Sequence, residues 1–337
     1  MLGGYADPSQ FDAFLADWEA ILQRRVAEAV ATLETVAGLE GLLLVGGLGR
    51  GAPWPLSDID LIPIYADTHA EAAAAEIERR RLALRPRWLA EGWWSGLDIG
   101  RLRFTVGEVR DALAAGDASP ALLADDRWYH SMDKGYGSRV LLDRAGVAAP
   151  LAGWFTARRF TPAVVEVRLQ REQRELTAAR RRCEAAVAAG EWLGATVVLR
   201  DAVKWAQTLQ LERWSERDNS QGRLGTRFAV AARAHGAGEL VATLHALSEL
   251  EEATVWVRLA AAPDWVHERH DRSLRARLRV GEPVTALDDA RDTLRVCALY
   301  GARYEGAPPY PAWLAVLDAE KARARVGLLG EVARVLR

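Results

Sequence analysis

Apolar and polar residues follow two rhythms along this chain. From Phe11 to Val36 apolar positions recur at the three- and four-residue spacing of an amphipathic helix, and the Ala-, Glu- and Arg-rich stretch from Thr68 to Trp88 also reads as helix. Between them, "LLLV" (42–45) and "DIDLIPIY" (58–65) are short apolar runs of strand length. "LDIGRLRFTV" from Leu97 is strand-like, a short helix is expected near Val109 to Ala115, and "SRVLLDRAG" from Ser138 holds a further strand. The first half therefore reads as an α/β domain.

The rhythm then becomes almost wholly helical. Thr161 and Pro162 have the chemistry of an N-cap and a first helical residue. Helices are expected over 163–189, 191–213, 226–235, 239–261, 264–279, 286–300 and 312–336, broken at Gly and Pro. The boundary falls near residues 145 to 160, dividing an α/β domain (1–155) from an all-α helical bundle (156–337).

Composition adds limits. With 337 residues, 50% of them hydrophobic, the chain can bury a substantial core in two domains. The formal net charge of -2 gives no basic field to recruit nucleic acid. Cys183 and Cys297 form no C-x-x-C pair, which argues against a disulfide framework or a zinc ribbon and for a reducing compartment. The first residues carry acids where a signal peptide carries bases, and no apolar run approaches the roughly 20 residues of a membrane span, so a cytoplasmic location is expected.

The densest chemistry lies in "VGGLGRGAPWPLSDIDL", Val45 to Leu61. Successive strand side chains point to opposite faces, so Asp58 and Asp60 project together while Ile59 and Leu61 enter the core. Two carboxylates forced together raise the free energy of the doubly ionised state, and a divalent cation relieves it; oxygen-only ligands suit Mg²⁺. Gly46, Gly47, Gly49 and Gly51 lack a β-carbon and let backbone N–H groups approach phosphate oxygens. A metal beside a phosphate cradle implies a nucleotide. Two commoner glycine loops do not fit, because no Gly-Lys pair provides a Walker A loop and "GLGRGAPWP" runs into Pro53 and Pro55 instead of a dinucleotide-binding helix.

"VGGLGRG" followed by "SDIDL" resembles the signature of the DNA polymerase β-type nucleotidyltransferases, and locally that of the PII uridylyltransferases and the antibiotic-modifying enzymes. The resemblance covers roughly the first 150 residues. It implies a small mixed sheet backed by helices and a third carboxylate on a later strand, for which Asp98 in "SGLDIG" is the candidate and Asp111, Asp117, Asp125 and Asp126 are competitors. It implies two Mg²⁺ ions held by Asp58, Asp60 and Asp98, with the phosphates of a nucleoside triphosphate on the Gly46-Gly47 loop. An acceptor hydroxyl would attack the α-phosphate in line, and pyrophosphate would leave. Asp98 is then a metal ligand or the general base; its alternative is an edge-strand residue facing water.

Other candidates carry two readings each. Ser57 contacts phosphate or caps the turn, and Arg50 reaches phosphate or solvent. Lys204, in "VKWAQ", resembles the lysine that meets the triphosphate in poly(A)-polymerase-like enzymes, or else lies on a helix surface. Trp54, Trp88, Trp93 and Trp94 stack on a base or belong to core, and "ADDRWYHS" (124–131) is an acceptor site or an acidic helix terminus. His267 and His270 read as part of an exposed charged helix, and "DNSQGRLGTRF" from Asp218 as a structural loop. The intact carboxylate pair favours an enzyme over a non-catalytic nucleotide-binding module. A small-molecule acceptor precedes a protein acceptor, no membrane is implicated, and a homodimer stays among the options.

Overall fold

The computed structural model describes residues 8–91, 96–217, 221–304 and 319–335. The chain divides into two compact units, Met1–Val165 and Glu166–Arg337.

The first unit opens with α1 (Pro8–Ala16) and α2 (Trp18–Leu33), where the periodicity predicts one helix; Asp17 leaves helical geometry between them (φ -127°, ψ 24°). Then come β1 (Leu39–Val45), the single turn α3 (Gly46–Gly49), β2 (Ile59–Tyr65), α4 (Ala70–Ala90), β3 (Leu97–Ile99) and β4 (Phe104–Thr105). The unit continues through α5 (Val106–Ala115), α6 (Pro120–Leu123), α7 (Asp126–Lys134), β5 (Arg139–Asp143) and α8 (Ala148–Arg158).

The sheet is small and mixed. Its order is β3-β2-β1-β5, with β4 also paired to β2. β1 runs antiparallel to β2 and β5, whereas β2 runs parallel to β3 and β4. The two central strands are buried at six of seven positions each, which explains why they read as unbroken apolar runs and not as alternation. Parallel pairing of β2 with β3 requires a crossover, and α4 provides it. That helix buries Ala73, Ala74, Ile77, Leu84 and Trp88, and the Trp88 indole donates to Glu28 of α2 (2.7 Å), placing this tryptophan in the core. The single strand expected from Leu97 is two, separated at Gly100, whose φ of +110° a side chain would resist.

α5 starts with a reciprocal capping box: Thr105 Oγ1 accepts from the Glu108 N–H, and Glu108 accepts from the Thr105 N–H (2.8 Å). Asp125 caps α7 by accepting the Arg127 N–H (2.8 Å), and its carboxylate pairs with the Arg127 guanidinium, while Trp128 and Tyr129 are buried. Of the two readings of "ADDRWYHS", Asp125 thus takes the helix terminus.

The second unit is helical. α9 (Pro162–Ala188) starts at the expected proline, in the last residues of the first unit, and is followed by α10 (Trp192–Arg213), α11 (Leu224–Ala234), α12 (Gly238–Leu247), α13 (Glu252–Ala260), α14 (Asp264–Arg279), α15 (Ala286–Tyr304) and α16 (Ala319–Val335). Leu176, Leu199, Leu209, Phe228, Leu244 and Leu329 belong to one buried cluster. The helix expected over 239–261 is two helices. Glu249 takes φ +55° there, and the Leu250 N–H closes the end of α12 on His245 O (2.9 Å). Residues 305–318, including the start of the helix expected over 312–336, lie outside the described residues.

A charged network is buried inside this unit. Arg277 donates to Asp289 (3.1 Å) and Asp292 (3.2 Å), and Asp292 also accepts from Gly225 N–H (2.9 Å) and Thr226 Oγ1 (2.7 Å). His270, expected on an exposed face, is 2.9 Å from Asp289 through Nδ1 and only 14% exposed, so helix packing and not solvent accounts for it. Cys183 and Cys297 are buried and carry no disulfide. Among the described residues, no helix is long and apolar enough to cross a membrane.

Candidate active site

The site starts where β1 ends. Val45 lies opposite Asp60 in the antiparallel ladder, and the chain then winds into the α3 turn instead of an open loop. Gly46 has φ +67°, and a β-carbon there would stand 2.6 Å from Asp60 Oδ2. One at Gly49 would stand 2.3 Å from Leu44 O. Glycine is therefore required for the turn to lie against the strand and the Asp60 carboxylate. A single helical turn leaves its first amides without intrahelical acceptors, so this close seat puts hydrogen-bond donors at the end of the sheet.

The carboxylates come from two neighbouring strands. Asp58 immediately precedes β2 and is exposed, Ile59 is buried, and Asp60 is half-buried with its side chain 16% exposed. In the parallel pairing of β2 with β3, Asp98 is the direct partner of Asp60. Cross-strand partners share a face. Asp58 Oδ1 in turn accepts the Gly96 N–H (3.2 Å), which ties the approach to β3 against the approach to β2.

Sequence reasoning missed one member of the group. Lys134, the last residue of α7, places Nζ 2.6 Å from Asp60 Oδ1 and 3.4 Å from Asp98 Oδ2. The one signal in the sequence was scarcity: only three of the 44 basic residues are lysines, at 134, 204 and 321. Burial raises the Asp60 carboxyl to about 6; the Lys134 ammonium opposes that rise, and the Asp58 and Asp98 charges add to it. For Lys134, burial favours loss of the proton, but the charges of Asp60, Asp98 and Asp58 outweigh it and hold the ammonium above its ordinary value. The carboxylates are oxygen-only donors of the kind a hard divalent cation takes. Among the described residues, no three His, Cys, Asp or Glu side chains converge closely enough to hold a metal. Between Asp60 and Asp98 the bridging cation is an ammonium.

The remaining candidates divide. Ser57 is buried and its Oγ accepts the Trp54 N–H (2.9 Å), which is turn capping; a hydroxyl that accepts one bond keeps an O–H to donate. The Arg50 guanidinium lies 4.5 Å from the Tyr136 ring centroid, and that of Arg159 lies 3.4 Å from the same centroid. Two cationic groups thus meet one aromatic ring beside the glycine turn, an arrangement the sequence did not suggest. Among the competing acids, Asp117 pairs with Arg158 (3.1 Å) and Asp125 with Arg127 (2.7 Å), and Asp111 is exposed. Lys204 belongs to the second unit, on α10, with Nζ 4.6 Å from the Trp205 ring centroid. Trp93 and Trp94 lie outside the described residues.

Comparison with known proteins gives partial likenesses. The bifunctional uridylyltransferase/uridylyl-removing enzyme of Burkholderia pseudomallei is 34% identical over 90 residues, 26% of this chain and 10% of that protein. The enzyme of the same name from Aromatoleum aromaticum is 41% identical over 71 residues, 21% of this chain and 7% of that protein. The chain thus matches about a tenth or less of the length of these relatives. No family model matches the chain, and no solved structure does. About a quarter of the sequence is therefore similar to part of a nucleotidyltransferase.

Proposed function

We propose that this chain is a Mg²⁺-dependent nucleotidyltransferase of the DNA polymerase β type, moving a nucleoside monophosphate from a nucleoside triphosphate to an acceptor hydroxyl. The observation that carries the reading is the register that sets Asp98 against Asp60, with Asp58 two residues away, all beside the Gly46 turn. Asp58, Asp60 and Asp98 do not converge on one point as they stand, so they would supply oxygen donors to the metal together with the triphosphate, not as a closed protein cage. When bound, Mg²⁺ supplies charge neutralisation at the triphosphate and polarisation of the reacting oxygens.

The chain's own groups do the rest. Amides of the Gly46-Gly47 turn donate to phosphate oxygens, and the Arg50 and Arg159 guanidiniums stacked on Tyr136 add positive charge. Ser57 holds the turn closed through Trp54. The acceptor oxygen forms a bond to the α-phosphorus as the bond to the pyrophosphate oxygen breaks, and pyrophosphate departs with that electron pair. The hydroxyl proton passes to Asp98, whose 57% exposed carboxylate an acceptor can reach.

A small-molecule hydroxyl is the first acceptor class, because the chain lacks the basic field of a nucleic-acid binder. A protein side chain is the second, and the likeness to uridylyltransferases favours it; the same likeness makes UTP the first donor to try. The test is calorimetric titration of non-hydrolysable ATP, GTP, CTP and UTP analogues into wild type and Asp60→Ala, with and without Mg²⁺. The expected result is binding of one nucleotide that requires both Mg²⁺ and Asp60. Metal-independent binding that survives Asp60→Ala indicates a non-catalytic nucleotide module, and no binding to wild type overturns the proposal.

A further inference from the structure

Lys134 is a cation that the chain supplies for itself, and the role inferred for it rests on the reading of Asp58, Asp60 and Asp98 as a metal site. It reaches the site from α7, remote in sequence from both partners, and spans the two carboxylates that face each other across β2 and β3. Its place is fixed by packing. α7 ends at Gly135, where a β-carbon would stand 2.3 Å from the Phe155 ring, so only glycine lets the helix end this close to α8.

The choice of lysine is informative. Where this chain buries ion pairs in its helical unit it uses arginine: Arg168 with Glu212, Arg217 with Glu172 and Arg277 with Asp289. A guanidinium fork fixes a carboxylate in one plane, whereas an ammonium is a compact charge on a four-carbon stem that can swing away without breaking a bidentate pair. Lys134 remains 28% exposed and Asp98 57% exposed, so the bridge lies at the solvent edge, where an incoming ion can reach it. Asp60, by contrast, is the better buried partner and makes the shorter contact. An ammonium and a divalent cation cannot both occupy the space between Asp60 and Asp98 without strong repulsion.

We propose that Lys134 is a positioning residue: an internal counter-ion that holds Asp60 and Asp98 together in the metal-free chain and yields that place when a divalent cation binds. Metal affinity is then set by competition. The ammonium weakens cation binding in the resting protein and thereby couples site loading to whatever draws Lys134 away, an arriving triphosphate being the polyanion suited to do so.

The test uses Mn²⁺ as the probe, titrated calorimetrically into the full chain without nucleotide, with melting in EDTA as the second readout. Lys134→Met, with Lys134→Gln as the alternative should the first not fold, is expected to bind Mn²⁺ more tightly than wild type, by roughly 5- to 150-fold. The same variant is expected to melt earlier in EDTA, and Lys134→Arg to retain wild-type weakness toward Mn²⁺. A purely structural salt bridge would give no gain in affinity. Unchanged or weaker Mn²⁺ binding by both neutral variants, with wild type binding, overturns this inference and leaves the metal-site reading in place. Absence of Mn²⁺ binding in wild type and neutral variants alike overturns both.

Discussion

Replacing Gly46 by alanine tests the geometry on which the site depends. Two effects are combined at this position. The backbone has φ +67°, which costs an alanine about 1 kcal/mol relative to glycine, and the new β-carbon would sit 2.6 Å from Asp60 Oδ2, inside van der Waals contact. Relief requires either the turn or the carboxylate to shift, and moving Asp60 weakens its 2.6 Å contact with Lys134, so a further 1 to 3 kcal/mol, roughly the price of overpacking, is expected. Gly51 is the internal control. It has φ +71° with nothing within 4 Å of where a β-carbon would stand, so Gly51→Ala should lose only the backbone part, about 1 kcal/mol. Urea unfolding of both variants in EDTA gives the two values under one set of conditions, and their difference isolates the Asp60 contact. Equal destabilisation by the two substitutions would refute the claim that the glycine turn is seated against Asp60.

Three further outcomes follow from the structure. The Asp60 carboxyl is raised from 3.8 to about 6, so the folded state holds its proton more tightly than the unfolded state; stability falls as pH rises from 4 to 7, by at most about 3 kcal/mol. Asp60→Asn should therefore gain on wild type by up to that amount across this window in metal-free urea titrations, and a flat difference would contradict it. Asp292→Ala strips Arg277, Thr226 and Gly225 of a shared buried acceptor and should destabilise the chain by about 3 to 5 kcal/mol on chemical denaturation. Thr105→Ala opens the capping box of α5 and should cost about 1 kcal/mol in the same assay, with nucleotide binding unaffected.

The sequence is legible where local rules and tertiary structure agree. Residues of β2 read as a buried strand because a central strand needs unbroken apolar length, and the two-residue period then put Asp58 and Asp60 on one face. The start of α9 at Pro162 was visible for the same reason, since proline fits a first helical turn. The break between α12 and α13 was not, because "LSELEE" offers neither Gly nor Pro; the turn is held by Glu249 in a left-handed conformation and by Arg258 donating to its carbonyl (2.8 Å). His270 misled because a helix of charged residues reads as solvent-facing until Asp289 arrives from α15. Lys134 and the Arg50–Tyr136–Arg159 stack were hidden for a common reason: they are meetings between residues far apart in sequence, and nothing in the local spacing announces them.

That remoteness also governs when the site comes into being. Lys134 is 74 positions from Asp60, and Asp98 is 36 positions from Lys134, so the group is stitched from non-local contacts whose loop-closure entropy delays their formation. On a ribosome adding 5 to 20 residues per second, Asp60 emerges roughly 4 to 15 s before its counter-ion. During that interval Asp60 has been made without the ammonium that ties it to Asp98, and the bridge across β2 and β3 is completed only once α7 has been made.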